Sequence, residues 1–290
     1  MHRLHEDIAD YTAVKDSILT GIEDAERIRL RREKIMASLG ATEKDWQDYR
    51  WQLANRITSA DELKRHLPLN PEDVRQVEAV AEQYRFAISP YYLSLIDPDN
   101  PDCPIRRQAI PTLTEMDPAG ELDPMDEAGS TPVNGITRRY PDRLIIKVTN
   151  QCGMYCRFCQ RRRLIGEQDH HTSPAVLEQA LAYIREHVEI RDILLTGGDA
   201  LMLSDARLDW LLSELHGIEH VEIIRIGSRT PVTLPQRITP ALVKILKKYH
   251  PLFFNTHFNS PAEITPEART ACERLADAGI PLGNQMVLLH

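Results

Sequence analysis

Arg143-Leu-Ile-Ile-Lys-Val-Thr-Asn-Gln-Cys-Gly-Met-Tyr-Cys-Arg-Phe-Cys159 is the stretch on which the reading of this 290-residue chain turns. Its first seven residues are mostly apolar and β-branched, as in a buried strand, so the cysteines follow on the loop at the strand's C-terminal end. That end is where α/β barrels and sheets build their sites. Cys152, Cys156 and Cys159 fall within eight residues. Three thiolates can hold a four-iron [4Fe-4S] cluster and leave one iron without a protein ligand, open to chemistry. Two plainer readings compete: a zinc site completed from a distance, and three free thiols. Structural zinc asks for four tetrahedral ligands, commonly as paired Cys-x-x-Cys or His units. Here Cys103 and Cys272 are isolated, and the nearest histidines are the His170-His171 pair.

Downstream of Arg139 strand and helix patterns alternate. Strands are expected at 143–149, 192–196, 221–227, 252–257 and 284–289, and helices at 174–187, 205–216, 240–249 and 266–278. Three of the helices open on Ser173-Pro174, Thr239-Pro240 and Thr265-Pro266, a capping residue followed by proline at the first helical position. Such alternation implies parallel strands joined by right-handed crossovers, hence a barrel or a doubly wound sheet. The text stops at Val287-Leu-Leu-His290 inside an apolar run with no covering helix, so a C-terminally incomplete sequence is the expectation.

Upstream, the first hundred residues read as helices parted by capping signals. Glu26 to Leu39 is amphipathic and stops at Gly40, a natural C-terminal cap. A second helix is expected from Asp45 to Leu53, and Ser59-Ala-Asp-Glu62 and Asn70-Pro71 signal two further starts. A helical appendage is the simplest account. From Ile96 to Asn134 the text is rich in Pro, Asp and Gly, as in irregular structure. The division expected is a helical region at 1–105, an irregular connector at 106–140 and the α/β unit at 141–290.

The 35 basic and 43 acidic residues give a net charge of −8, which argues against a general nucleic-acid binder. The N-terminal Met-His-Arg-Leu-His-Glu lacks the apolar core of a signal peptide, and no apolar run approaches a bilayer span. Five cysteines, an odd number with three clustered, suit a reducing compartment. A cytoplasmic protein is expected.

The spacing Cys-x-x-x-Cys-x-aromatic-Cys, with Phe158 as the aromatic, resembles the signature of radical S-adenosylmethionine (SAM) enzymes. Around it stand Tyr140-Pro-Asp-Arg143, Cys159-Gln-Arg-Arg-Arg163, Leu195-Thr-Gly-Gly-Asp-Ala200, Arg225-Ile-Gly-Ser-Arg-Thr-Pro231, Asn255-Thr-His-Phe-Asn259 and Leu282-Gly-Asn-Gln285. In that order they look like the consecutive motifs of lysine 2,3-aminomutases. The resemblance implies a partial (β/α)6 radical SAM barrel, of which about five strands are visible. It implies three cofactors: a [4Fe-4S] cluster on Cys152, Cys156 and Cys159, SAM, and pyridoxal 5′-phosphate (PLP). The implied reaction moves the 2-amino group of L-lysine to carbon 3, giving L-β-lysine, through a PLP imine and a 5′-deoxyadenosyl radical. Implied partners are the amino acid, an electron donor such as ferredoxin or flavodoxin, and further copies of the chain in a homo-oligomer.

Residue by residue, the resemblance places Phe158 near the cluster and the adenine, though a core aromatic reads equally well. Gly197, Gly198 and Asp199 would meet SAM, since glycine permits close backbone approach and the acid accepts hydrogen bonds. The plain reading is a common turn. His257 and Gln285 are likewise placed towards SAM, against the alternative of a satisfied core histidine. Arg161 matches the residue that grips the substrate carboxylate, a task suited to a planar fork, and Arg139 and Arg143 match residues that meet the PLP phosphate. Without the cysteines, Arg161-Arg-Arg163 would read as a solvated basic patch.

The chain also departs from the pattern. No glycine-rich loop carrying a PLP lysine occurs, and Lys244, Lys247 and Lys248 on an expected surface helix are poor substitutes. The acidic pair that would recognise the far amine of lysine would fall beyond His290, and Gln160 stands where threonine is usual. Glutamate 2,3-aminomutation is therefore a live alternative, as is a relative that modifies a protein lysine. From another class altogether comes a non-catalytic metal-binding interaction protein.

Overall fold

The computed structural model describes residues 2–288. Among them six strands form one sheet in the order β1 to β6: Ile136–Thr137, Arg143–Thr149, Asp192–Gly197, Ile223–Gly227, Leu252–Thr256 and Leu282–Asn284. The two-residue β1 is antiparallel to β2, and every later neighbour is parallel. A doubly wound sheet reverses its strand order at a switch point. Here the parallel strands follow one another without reversal, each reached through a helix, which is the order of a partial (β/α) barrel.

Alternation along each strand decides which face is buried. Leu144, Ile146 and Val148, then Ile193 and Leu195, Ile224 and Ile226, and Leu252 and Phe254 turn outward into one core. Against them pack Leu177, Leu181 and Ile184, Leu208, Leu211 and Leu215, Leu242 and Leu246, and Leu275, at the three-and-four spacing of a helix's apolar face. The helices Pro174–Glu186, Pro240–Leu246 and Pro266–Asp277 begin as expected. Ser173, Thr239 and Thr265 each accept a backbone N–H from the first turn.

Two expectations need correction in extent. The helix foreseen from Asp45 to Leu53 is two helices, Glu43–Gln47 and Tyr49–Ala54, because the Asp48 side chain accepts the Arg50 N–H and caps the second. The strand foreseen at 284–289 is instead Leu282–Asn284. Gln285 still donates its N–H to Thr256 O, at 2.8 Å, but Val287 N–H goes to the Asn259 side chain, at 2.9 Å. The segment thus leaves the ladder and turns over the end of β5. Residue 289 of the expected strand lies outside the described residues.

The N-terminal helical region, expected as an appendage, has a core cluster apart from that of the sheet. Its helices Ala25–Leu39, Pro71–Gln83 and Pro90–Ser94 build a second core with Trp46, Leu63 and Ile88. Met154, from the loop after β2, and Val232, from the short helix Thr230–Thr233 after β4, belong to that same core.

Candidate active site

The cysteine loop is held on three sides. From the sheet, Gly198 N–H donates to Thr149 O at 2.5 Å, and Asp199 N–H to Gln151 O at 2.8 Å. A Cβ on Gly197, whose φ is 124°, would stand 2.6 Å from Thr149 O, and one on Gly198 only 2.5 Å from Gln151 O. The paired glycines therefore let the end of β3 press against the cysteine loop, a structural need the turn reading had missed. From the helical region, Arg56 donates to Cys152 O at 2.8 Å and Ala87 O accepts Tyr155 N–H at 3.0 Å, and at the start of the connector Gln108 O accepts Arg157 N–H at 2.9 Å. From the connector, Glu115 takes Arg157 in a fork, at 2.7 and 3.0 Å.

Loops following β2, β3, β4, β5 and β6 enclose a cavity of about 430 Å³, a size suited to a cofactor. Cys152, Cys156, Cys159, Phe158, Arg161, Gly197, Gly198, Asp199, His257 and Gln285 all line it. Burial pushes the Cys159 thiol up to about 11, with the neighbouring Cys156 adding to it, and raises Cys152 well above its ordinary value, reinforced by Asp199 and the other two cysteines. Two thiols held protonated by burial, with neighbouring cysteines adding to the effect, are donors that a cationic centre would relieve. Among the described residues no three such side chains close on a single ion position. The three cysteines line one shared cavity, and thiolates are the donor set that an iron-sulfur cluster takes.

Placement refines several assignments. Asp199 is buried and spends its carboxylate on its neighbours: Oδ1 accepts Ser228 OγH at 2.7 Å and Leu201 N–H at 3.0 Å, and Oδ2 accepts Arg229 N–H at 2.8 Å. It ties the β3 loop to the β4 loop, using three of about four acceptor directions. Phe158 is half-buried at the cavity wall rather than in the core. His257 is held below its ordinary range by burial and then by Arg229.

The run Arg161-Arg-Arg163 is not a solvated patch. Arg161 forks onto buried Glu127, Nη2 at 2.6 Å and Nε at 3.1 Å, Arg162 meets Glu115 at 3.1 Å, and Arg163 meets Asp123 at 2.9 Å. These acids come from the connector, which irregular text had disguised.

Arg139 and Arg143 are not brought to this cavity. Arg143 begins β2, whose far end carries the cysteines, about 20 Å away at some 3.3 Å per residue. It pairs with Asp142 and stacks on Tyr140, while exposed Arg139 lines a separate shallow depression with Tyr140 and Ser130. The residue the sequence left without a role is Arg229, which reaches Cys156 itself. Only its place in the quoted Arg225–Pro231 motif marked it.

Residues 146–290 match the radical SAM superfamily. Glutamate 2,3-aminomutase of Clostridioides difficile (strain 630) is 54% identical over 288 residues, 99% of this chain and 68% of that protein. L-lysine 2,3-aminomutase of Clostridium subterminale is 53% identical over 248 residues, 85% of this chain and 60% of that protein. The L-lysine 2,3-aminomutase of Acetoanaerobium sticklandii is 52% identical over 250 residues, 86% of this chain and again 60% of the relative.

Proposed function

The chain belongs to the radical SAM superfamily and, within it, to the 2,3-aminomutase family, and from that premise we propose that it serves amino-acid 2,3-aminomutation, moving a 2-amino group to carbon 3. One observation carries the reading: three thiols, a histidine and an arginine share a single cavity at the C-terminal ends of parallel strands. When bound, the cluster and SAM supply a hydrogen-abstracting 5′-deoxyadenosyl radical, and PLP supplies a ring that carries the migrating nitrogen. The chain's own residues bind and orient. Cys152, Cys156 and Cys159 would ligate three irons. The wall of Phe158, Gly197, Gly198, His257 and Gln285 would seat SAM beside the fourth. Arg161, fixed by Glu127 along one edge, keeps another for a substrate carboxylate.

Arg139 and Arg143 are kept as PLP-phosphate residues only on the strength of the resemblance, and no lysine is assigned to PLP. The reductant would be a one-electron donor of the ferredoxin or flavodoxin kind. On substrate, lysine is the reading that motif order suggests. A second reading, glutamate, is favoured by the alignment that runs over 99% of the chain with the glutamate enzyme, against 85% and 86% with the lysine enzymes.

The test is anaerobic reconstitution with iron and sulfide, then reduction in the presence of SAM. Iron and sulfide near four each per chain, with 5′-deoxyadenosine formed, support the reading; chromatography of glutamate and lysine incubations for 3-amino products then separates the substrates. Zinc without sulfide would replace it with a metal-binding interaction protein.

A further inference from the structure

Arg229 follows β4 and is buried, its side chain 9% exposed. Its guanidinium makes five polar contacts: Nη1 donates to Cys156 Sγ at 2.9 Å and Nε to His257 O at 3.1 Å, while the two Nη2 hydrogens are shared among Glu263 Oε1 at 2.6 Å, Gln108 Oε1 at 2.5 Å and Tyr92 Oη at 3.2 Å. The partner acid, Glu263, has no exposed side-chain surface, and its second oxygen accepts the N–H groups of Asn259, at 2.6 Å, and Ser260, at 3.1 Å. Above the guanidinium lies the Phe158 ring, its centroid 5.4 Å from Cζ. Taking such a pair out of water costs several kcal/mol per ion, and an apolar pair of the same volume is often as stable. Stability alone does not explain a buried guanidinium with one N–H aimed at a sulfur.

Resting on the cluster reading above, we propose that Arg229 is a positioning residue for the cluster: its Nη1–H donates to the iron-bound Cys156 thiolate and raises the potential at which the cluster accepts an electron. Reduction by one electron from an external donor adds one negative charge to a cube already ringed by thiolates. A fixed cation and an N–H···S bond stabilise that added charge more than the oxidised state, and hydrogen bonds to the sulfurs are among the factors that set such potentials. Rigidity makes the effect specific. Glu263, Gln108 and Tyr92 hold the fork, so the donor keeps its direction without a choice of rotamer. The same side chain touches His257 O, which ties cluster electronics to the loop proposed to seat SAM.

The experiment is an EPR-monitored redox titration of anaerobically reconstituted wild type, Arg229→Gln and Arg229→Lys, with iron and sulfide measured on each. In Arg229→Gln the midpoint falls by at least the equivalent of a tenfold change in the reduction equilibrium, 59 mV for one electron, and the g-values of the reduced cluster move. Arg229→Lys, which keeps the charge but not the fork, falls between the two. An Arg229→Gln protein with full cluster content and the wild-type midpoint overturns this inference alone. Wild type that takes up no iron and sulfide overturns the cluster reading and this inference with it. If Arg229→Gln does not hold the cluster, Glu263→Gln decides: with the guanidinium charge no longer offset, its midpoint rises, and an unchanged midpoint is fatal to the idea.

Discussion

Asp169 is the anchor of a small half-buried lattice: it accepts Tyr155 OηH, Arg56 and Arg85, the latter at 2.9 Å, and the Gln151 amide at 3.1 Å. Burial alone would raise its pKa, but the Tyr155 hydroxyl and the two guanidiniums outweigh it and hold the carboxyl at about 2, against an ordinary 3.8. A folded-state value below the unfolded one contributes stability that is whole above about pH 4 and lost as pH falls through about 2; that shift corresponds to about 2 kcal/mol. Asp169→Asn therefore loses roughly that amount at pH 7, and in urea titrations its deficit against wild type narrows as pH drops from 4 to 2. A deficit independent of pH would show that the ion pairs are idle. Glu127 poses a different residue question, since its fork fixes Arg161. Freeing such a side chain costs about 1 kcal/mol in re-ordering, so Glu127→Gln should raise the substrate KM about fivefold while kcat changes less, read by steady-state kinetics on the reconstituted enzyme. Neither acid was legible in the sequence, because each acquires its meaning from partners tens of residues away.

At the scale of elements, the end of β3 shows what a sequence pattern conveys and what it withholds. Alternation of strand and capped helix could be read directly, since Ser173, Thr239, Thr265 and Gly40 act locally, and the structure places each at a helix end. The glycine pair is a contact between elements, so its purpose was hidden: Gly198 lies against Gln151 and Asn150 of the cysteine loop. Adding a methyl there puts Cβ 2.5 Å from Gln151 O and 2.6 Å from Asn150 C, both backbone atoms that cannot rotate away. Gly198→Ala should cost about 2 kcal/mol by overpacking and, by displacing Cys152, lower iron bound per chain. Parallel measurement of urea midpoint and iron content tests both; a destabilised variant with full iron would mean that β3 does not govern the loop. The last strand failed for the opposite reason. Val287-Leu288 is apolar enough to read as strand, but Asn259 captures the Val287 N–H and ends the ladder, a tertiary competition without a local signal.

For the whole molecule the question is why helices distant in sequence accompany the sheet at all. The cysteine loop supplies the answer, because its backbone is shared: Cys152 O goes to Arg56, Tyr155 N–H to Ala87 and Arg157 N–H to Gln108. Between Cys156 and Cys159, Arg157 is clamped by Glu115, both side chains 7% exposed, so a guanidinium within the cysteine loop is neutralised by an acid from the connector. Removing one member of a buried pair strands the other charge, at a cost of about 3 to 5 kcal/mol. Glu115→Ala is thus expected to lower global stability by about 3 kcal/mol and to reduce cluster retention, although Glu115 touches no cysteine. Were the helical region and connector a separate cover, the variant would loosen only that cover: chemical denaturation would gain a first, small transition and bound iron would stay at the wild-type level. If the site is a wall shared by both cores, as Met154 and Val232 in the helical core indicate, one cooperative transition moves to lower denaturant and iron falls with it.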